Sequence, residues 1–480
     1  LPSRPLFTVA YLINIFTLES QEHLQDPLFM TDVAARIAFA AGDGSSSLHV
    51  CAVVLVPQAA ALGLQPLVQR SLVRIPAALL CFATVLLPTC VACMCNERWL
   101  AWLYAMLLVP ITCEVLMPVA QKHCTLQRRL PALTQLRGAI ALQTAFCILA
   151  VDFHIFPRAG AKTLTFGRSV MDLGVGCVVF AGALSRQRQR GSSAADATRT
   201  ITRHAPLLLA GFGRLFAVRA TNYHEVHSEY GTHWNFFFTL GLVAVATPLL
   251  APHSARRCAL AAIGLLSLHQ LLLLGGLTEF VRSAPRTSLL SANKEGLVSL
   301  PGYLALSLAG SACAPLLHNT HILSKRLTSA DAPLPHAREA TQRMRVLLLL
   351  GTSMWLAASA ADTYVESTSR RLCNVPYALW VISQTCLALA LATAREVVGA
   401  DRVGFPAPPP LLKAVNSFPL SVFLLANLLT GAVNLSVDTM TASDTVAAAV
   451  LCAYMLVVCA AAVALDDGAP MRWLSTRVFL

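Results

Sequence analysis

Charge is what this chain has little of. Only 12% of its 480 residues are Asp, Glu, Lys or Arg, against 56% hydrophobic residues, whereas an ordinary soluble domain carries about a quarter charged residues. That excludes a soluble globular enzyme. Acids are the scarcer sign, 24 against 36 Lys and Arg, for a formal net charge of +12. The excess does not point to nucleic acid, because the cations sit in short loops between apolar runs rather than on one basic face. No nucleic-acid partner is expected. The sequence also has no fixed-period repeat, no GxSxG nucleophile elbow and no glycine fingerprint following a strand. The 15 cysteines give no disulfide framework, since they are scattered and mostly inside apolar segments, where Cys acts as a small hydrophobe. Cys90, Cys93 and Cys95 have no His near them in sequence, and a zinc site usually needs four convergent ligands, so no metal site is expected.

What the chain does have is a succession of apolar runs. They predict an all-α, polytopic integral membrane protein of about 13 transmembrane helices, since a span needs about 20 apolar residues. Candidate spans lie near 48–66, 72–95, 99–118, 138–156, 169–184, 206–219, 232–251, 257–280, 298–318, 345–365, 374–394, 415–435 and 444–465. Residues 1–34 form an N-terminal extension whose run PLFTVAYLINIFTL is short for a span and reads as interfacial or signal-like. Residues 35–480 form the multi-pass domain. Short cytoplasmic loops hold the excess of Lys and Arg. Counting cations on alternate loops puts the sets around Arg128, Arg188, Arg256, Arg326 and Arg402 in the cytosol. The N-terminus is then outside and the C-terminus, with Arg472 and Arg477, inside. The loops of unusual sequence all fall on the non-cytoplasmic side.

The densest of these is VDFHIFPRAGAKTLTFGRSVMDLGVG, residues 151–176, which sets Asp152, Arg158, Lys162, Arg168 and Asp172 between two apolar runs. Asp152 closes its helix at the end where the helix dipole disfavours an anion, so capping does not explain it. Pro157 and Gly160 permit a chain reversal that brings Lys162 back toward it. A carboxylate steered by a lysine is a candidate general base for a lipid hydroxyl, with Lys162 holding it ionised or stabilising a developing oxyanion. An interfacial ion pair joining two helices accounts for the same two residues. Arg158 and Arg168 suit a phosphate or CoA anion by charge, while Asp172, in a helix first turn, reads as structural.

A second block, HSEYGTHWNFFFTL, offers His227, Glu229, His233 and Asn235 ahead of an apolar run. The preceding HEVH has the wrong spacing for two metal ligands on one helical face; a sugar or amine headgroup suits these side chains equally, and a solvated loop with an aromatic anchor accounts for the aromatics. ANKEGLVSLPGY carries Asn293, Lys294 and Glu295, and ANLLTGAVNLSVDT carries Asn427 and Asn434, seven apart on one helix face. Interhelical hydrogen bonding is the plainer role for those two amides.

With FAAGDGSSSLHV from Phe39, these four blocks make the chain resemble the inositol acyltransferase family of glycosylphosphatidylinositol (GPI) anchor biosynthesis. The resemblance runs from about residue 39 to the end. It implies an endoplasmic reticulum membrane enzyme that moves a fatty acyl chain, palmitoyl above all, from acyl-CoA to the inositol hydroxyl of glucosaminyl-phosphatidylinositol. No bound cofactor is implied. Acyl-CoA is the co-substrate, the partners are that glycolipid and membrane lipid, and no obligate protein partner is implied. The catalytic pair falls on Asp152 and Lys162. Arg158, Arg168, His227, Glu229, His233, Asn235, Asn293, Lys294, Glu295, Asn427 and Asn434 fall beside the substrate. Direct transfer is the expected route, because Cys177, a thiol suited to an acyl-enzyme, lies inside an apolar helix. A lipid or solute transporter is the rival class.

Overall fold

A computed structural model describes residues 39, 41–42, 44–66, 76–116, 130–185, 194–221, 227–251, 254–318, 336–400 and 407–468. The N-terminal extension, the C-terminal cations Arg472 and Arg477 and most of the cation-rich loops lie outside the described residues. Every expected span contains a helix. In chain order they are α1 (Ser47–Leu62), α2 (Ala77–Met94), α3 (Glu97–Leu116), α4 (Pro131–Ala150), α5 (Val170–Leu184), α6 (Ala194–Thr221) and α7 (Phe236–Leu250). There follow α8 (Ala255–Ser283), α9 (Lys294–His318), α10 (His336–Tyr364), α11 (Val375–Ala400), the short α12 (Pro410–Ser417), α13 (Pro419–Ser436) and α14 (Asp444–Asp467). Among the described residues, nine helices are long and apolar enough to cross a membrane, and α5 and α7 are apolar but only 15 residues each.

Helix α11 is the hub, packing against α10, α1, α4, α5 and α9. Small residues allow that closeness. A side chain on Gly351 of α10 would collide with Leu387, and one on Gly176 of α5 with Val381 and Tyr377. The outer helices α8, α10 and α13 instead present Leu271, Leu349, Leu356 and Leu428 outward, as lipid-facing helices do. Helix α8 is broken once, at Gly276, whose φ of 114° lies in the left-handed region that favours glycine.

Because the helices alternate in direction, the polar loops gather at one end of the bundle. Arg158 reaches Phe39, Arg168 reaches Ser47 and Asp362, Lys162 reaches Glu229, Arg371 reaches Glu295, and Asn434 reaches Asp152. Helix starts there are capped by side chains: Ser46 accepts from His49 N, Ser169 from Asp172 N, Asn235 from Phe237 N and Phe238 N, and Ser443 from Val446 N. A single parallel bridge joins Gly42 to Thr163, with Gly42 N donating to Lys162 O at 2.9 Å. A Cβ on Gly42 would lie 2.2 Å from Ala161 O, a backbone atom that cannot swing aside. Gly42→Ala is therefore expected to lower stability by about 1–3 kcal/mol, the usual range for overpacking. Thermal unfolding in detergent measures it, and an unchanged midpoint would show that the two segments do not approach this closely.

Candidate active site

Asp152 follows the last turn of α4, where Val151 N and Asp152 N still bond to Cys147 O and Leu149 O. The chain then turns through residues 153–157 into a short 3-10 turn, Arg158–Gly160. Asp152 Oδ2 accepts from Asn434 Nδ2 at 2.9 Å, so the ends of α4 and α13 meet through this pair, 282 residues apart in sequence. Helix α13 packs against α4. Asp152 also lies within electrostatic reach of the Arg158 guanidinium.

Lys162 takes its carboxylate partner from another loop. Nζ donates to Glu229 Oε2 at 2.9 Å and Oε1 at 3.1 Å, both side chains being partly buried. The chain spacing points Lys162 either to holding Asp152 or to stabilising an oxyanion; the carboxylate its Nζ bonds is that of Glu229, in the single turn His227–Tyr230. Burial pushes the Glu229 carboxyl up, but Lys162 and then Arg370 outweigh it and hold the group at about 2. The folded chain therefore binds a proton here less readily than the unfolded one, whose carboxyl titrates near about 4.3. The pair's contribution to stability is whole above that pH and is lost as pH falls toward 2. The native protein's unfolding midpoint is thus expected to fall more steeply between about pH 4.5 and 3 than that of Glu229→Gln. Parallel pH series in detergent test this, and parallel slopes would contradict it.

The loop behind Lys162 is pinned by a buried cluster. Asp172, fully buried in the first turn of α5, accepts from Thr163 Oγ1 at 2.9 Å, Ser169 Oγ at 2.8 Å and Arg370 Nε at 2.9 Å. Arg370 also lies within electrostatic reach of Glu229 and Tyr230. It thus stands between two carboxylates from different loops. Asp172 is structural, as its helix-start position suggested, and it anchors the residue next to Lys162.

Both arginines expected to meet an anion are engaged by the protein itself. Arg158 directs all five of its N–H groups at carbonyls: Nε at Phe156, one terminal nitrogen at Phe39 and Val151, and the other at Phe153 and Phe156, 2.8–3.1 Å away. Its guanidinium also covers the Phe39 ring at 4.3 Å. Arg168 bonds Thr368 Oγ1 at 3.0 Å, Ser47 Oγ and Asp362 Oδ2, the last at 2.8 Å. Each fastens the loop to its neighbours.

The remaining candidates share this polar end but divide by role. His227 opens its turn, and its side chain lies outside the described residues. His233 N donates to Asn293 Oδ1 at 2.8 Å, and its own Nδ1 is buried with no partner. Asn235 caps α7 and donates to Gly211 O. Asn293 donates to Leu289 O. Lys294 bonds Ala284 O and faces the Phe280 ring. Glu295, fully buried, is clamped by Arg286, at 2.5 and 3.0 Å, and Arg371, at 2.8 Å. Asn427 bonds Phe423 O within its own helix.

The loop at residues 365–374 contributes most of what the sequence reading passed over. It carries Glu366, Thr368, Ser369, Arg370, Arg371 and Asn374. Glu366 accepts from Thr278, Gln270 and Asn374, and Ser369 donates to Thr165 O at 2.6 Å. Two arginines and an acid at the end of an apolar run, in VESTSRRLCN, were the available signal. Among the described residues, no His, Cys, Asp and Glu come together as a metal-binding group.

Comparison with known proteins finds relatives over most of the chain. The model of the GWT1 family matches residues 34–465. An uncharacterized protein of Arabidopsis thaliana is 39% identical over 319 residues, 66% of this chain and 69% of its own length. The GPI-anchored wall transfer protein 1 of Yarrowia lipolytica is 37% identical over 337 residues, 68% of this chain and 70% of its own. The phosphatidylinositol-glycan biosynthesis class W protein of Dictyostelium discoideum is 29% identical over 413 residues, 74% of this chain and 80% of its own.

Proposed function

The chain belongs to the GWT1 family, and from that membership we propose that it is a membrane transferase of GPI-anchor biosynthesis, acylating the inositol of glucosaminyl-phosphatidylinositol from acyl-CoA. The names of its relatives support the biosynthetic role. The observation that carries the reaction type is the placement, on one polar face, of a carboxylate held by an amide and a lysine paired with an ionised acid.

In this reading Asp152 is the general base. It takes the proton of an inositol hydroxyl while the hydroxyl oxygen attacks the thioester carbonyl carbon. The C–S bond breaks as the ester forms, and the proton on Asp152 passes to the departing CoA thiolate, leaving an acylated lipid and free CoA. General-base help of this kind is worth about 10²–10⁴ in rate. Lys162 is held in place by its ion pair with Glu229. It stabilises the negative charge that develops on the carbonyl oxygen, which a donor fixed in a partly buried site does well. Arg158 holds the loop rather than the substrate, since carbonyls occupy its donors, and Arg168 is tied to Thr368, Ser47 and the Asp362 carboxylate. The cation count supports a non-cytoplasmic side for this face, which in this reading is the lumen of the endoplasmic reticulum.

Expression in cells that lack their own inositol acyltransferase tests the reading. Inositol-acylated glucosaminyl-phosphatidylinositol is expected to reappear with the native chain and not with Lys162→Ala. Equal product with Lys162→Ala removes the lysine from the mechanism, and none with the native chain removes the reaction.

A further inference from the structure

The contact between Asp152 and Asn434 fixes the asparagine as well as the aspartate. An amide carries two donors on its nitrogen and acceptor lone pairs on its oxygen, whereas an ionised carboxylate only accepts. The end of Asn434 that faces Asp152 Oδ2 is therefore Nδ2, at 2.9 Å, and Oδ1 is turned to the other side. That oxygen is buried and, among the described residues, meets no donor. Native proteins keep few such acceptors, because the desolvation is not offset. Three other asparagines of this face differ. Both ends of the amide are engaged in Asn235, between Gly211 O and the start of α7. So are those of Asn293, between Leu289 O and His233 N, and of Asn374, between Glu366 and Ser369 N. Asn434 stands in the side of α13 that meets α4, with one end on the proposed base and the other unoccupied.

We infer that Asn434 Oδ1 is a hydroxyl subsite, and that Asp152 and Asn434 together read a vicinal diol. One hydroxyl is presented to the Asp152 carboxylate and its ring neighbour donates to Asn434 Oδ1. The inference rests on the acyl-transfer reading above and deepens it. Two acceptors joined through Asn434 Nδ2 suit two adjacent hydroxyls of a cyclitol, which diverge from neighbouring ring carbons. A lipid with one isolated alcohol can satisfy Asp152 but leaves Asn434 Oδ1 buried and empty. A site built to hydrogen-bond a substrate hydroxyl rejects the analogue that lacks it. The same amide positions the base, because Nδ2 holds Oδ2 and so sets which carboxylate lone pairs face the substrate.

The test pairs acceptor analogues with variants, using purified full-length protein and labelled palmitoyl-CoA. The acceptors are glucosaminyl-phosphatidylinositol and two analogues with one hydroxyl replaced by hydrogen, either the free hydroxyl beside the acylated position or one farther round the ring. With the native protein, kcat/KM is expected to fall about 10- to 100-fold for one of the two analogues and little for the other. In Asn434→Ala that preference is expected to shrink to about threefold or less, whereas a purely structural loss would lower all three acceptors alike. Asn434→Asp keeps an acceptor oxygen but not the donor to Asp152, so it is expected to keep the preference and lose kcat. Should Asn434→Ala not fold, Asn434→Leu, close in volume and apolar, gives the same comparison. Equal use of both analogues by the native protein overturns the inference, and so does a preference that survives in the Ala or Leu variant. No transfer by the native protein to any acceptor overturns the acyl-transfer reading itself, and the inference with it.

Discussion

Asp152→Asn is expected to lower kcat for acyl transfer by about 10³-fold, inside the range of general-base catalysis, and to leave KM for glycolipid and acyl-CoA within about threefold. The substitution keeps the shape of the side chain, so the helix end and the contact with α13 survive. Asn434 Nδ2 can still donate to the new amide oxygen in place of Oδ2. Only the capacity to accept the hydroxyl proton is lost. Initial rates with labelled acyl-CoA in detergent measure the effect. A tenfold rise in KM with kcat unchanged would make Asp152 a binding residue. Activity above about a tenth of native would leave no room for a base there.

The second large effect concerns stability. Arg370→Leu is expected to destabilise the protein by about 3–5 kcal/mol, the usual cost of stranding a buried charge. Asp172 is fully buried and Arg370 is 5% exposed, and their 2.9 Å contact has Glu229 as a further negative charge nearby. Removing the guanidinium leaves two carboxylates facing an apolar side chain. Arg370→Leu combined with Asp172→Asn should regain much of the loss, because neutralising the partner removes the unpaired charge. Thermal unfolding followed by size-exclusion of the detergent-solubilised protein reads both variants. A loss below about 1 kcal/mol for the single variant, or no recovery in the double, would mean that Arg370 is not the support of the Lys162 loop.

The helices were legible in the sequence because apolar runs of membrane length have one outcome: a backbone in hydrocarbon must satisfy its own hydrogen bonds. The blocks that carry the polar face were legible too, since acids and cations are scarce enough in this chain to stand out. Partner choice was not legible. Asp152 and Lys162 lie ten residues apart with a turn between them, and local spacing favoured pairing them. The partner of Lys162 is Glu229, 67 residues on, and that of Asp152 is Asn434, 282 residues on. Such pairings are set by which helix ends the bundle brings together, and no local pattern encodes that. Arg158 shows a second limit. Its charge suggested an anion, but the carbonyls of Phe39, Val151, Phe153 and Phe156 converge on it, and carbonyl direction depends on backbone torsions that the sequence does not display. The 365–374 loop was passed over because its arginines follow a long apolar run and resemble an ordinary helix-end cluster, although Arg370 and Arg371 reach Asp172 and Glu295. Asn434 is the reverse case. It was placed beside the substrate by resemblance, and its geometry adds a contact with Asp152 and an unoccupied oxygen.

The most direct test is a single reaction with purified full-length protein in detergent, given glucosaminyl-phosphatidylinositol and labelled palmitoyl-CoA, with the products separated and the inositol-linked acyl chain identified by mass. The account predicts one labelled acyl-glycolipid, formed with release of one free CoA thiol per acyl chain. Release of thiol without an acyl-glycolipid, or neither product from a monodisperse native preparation, would contradict it.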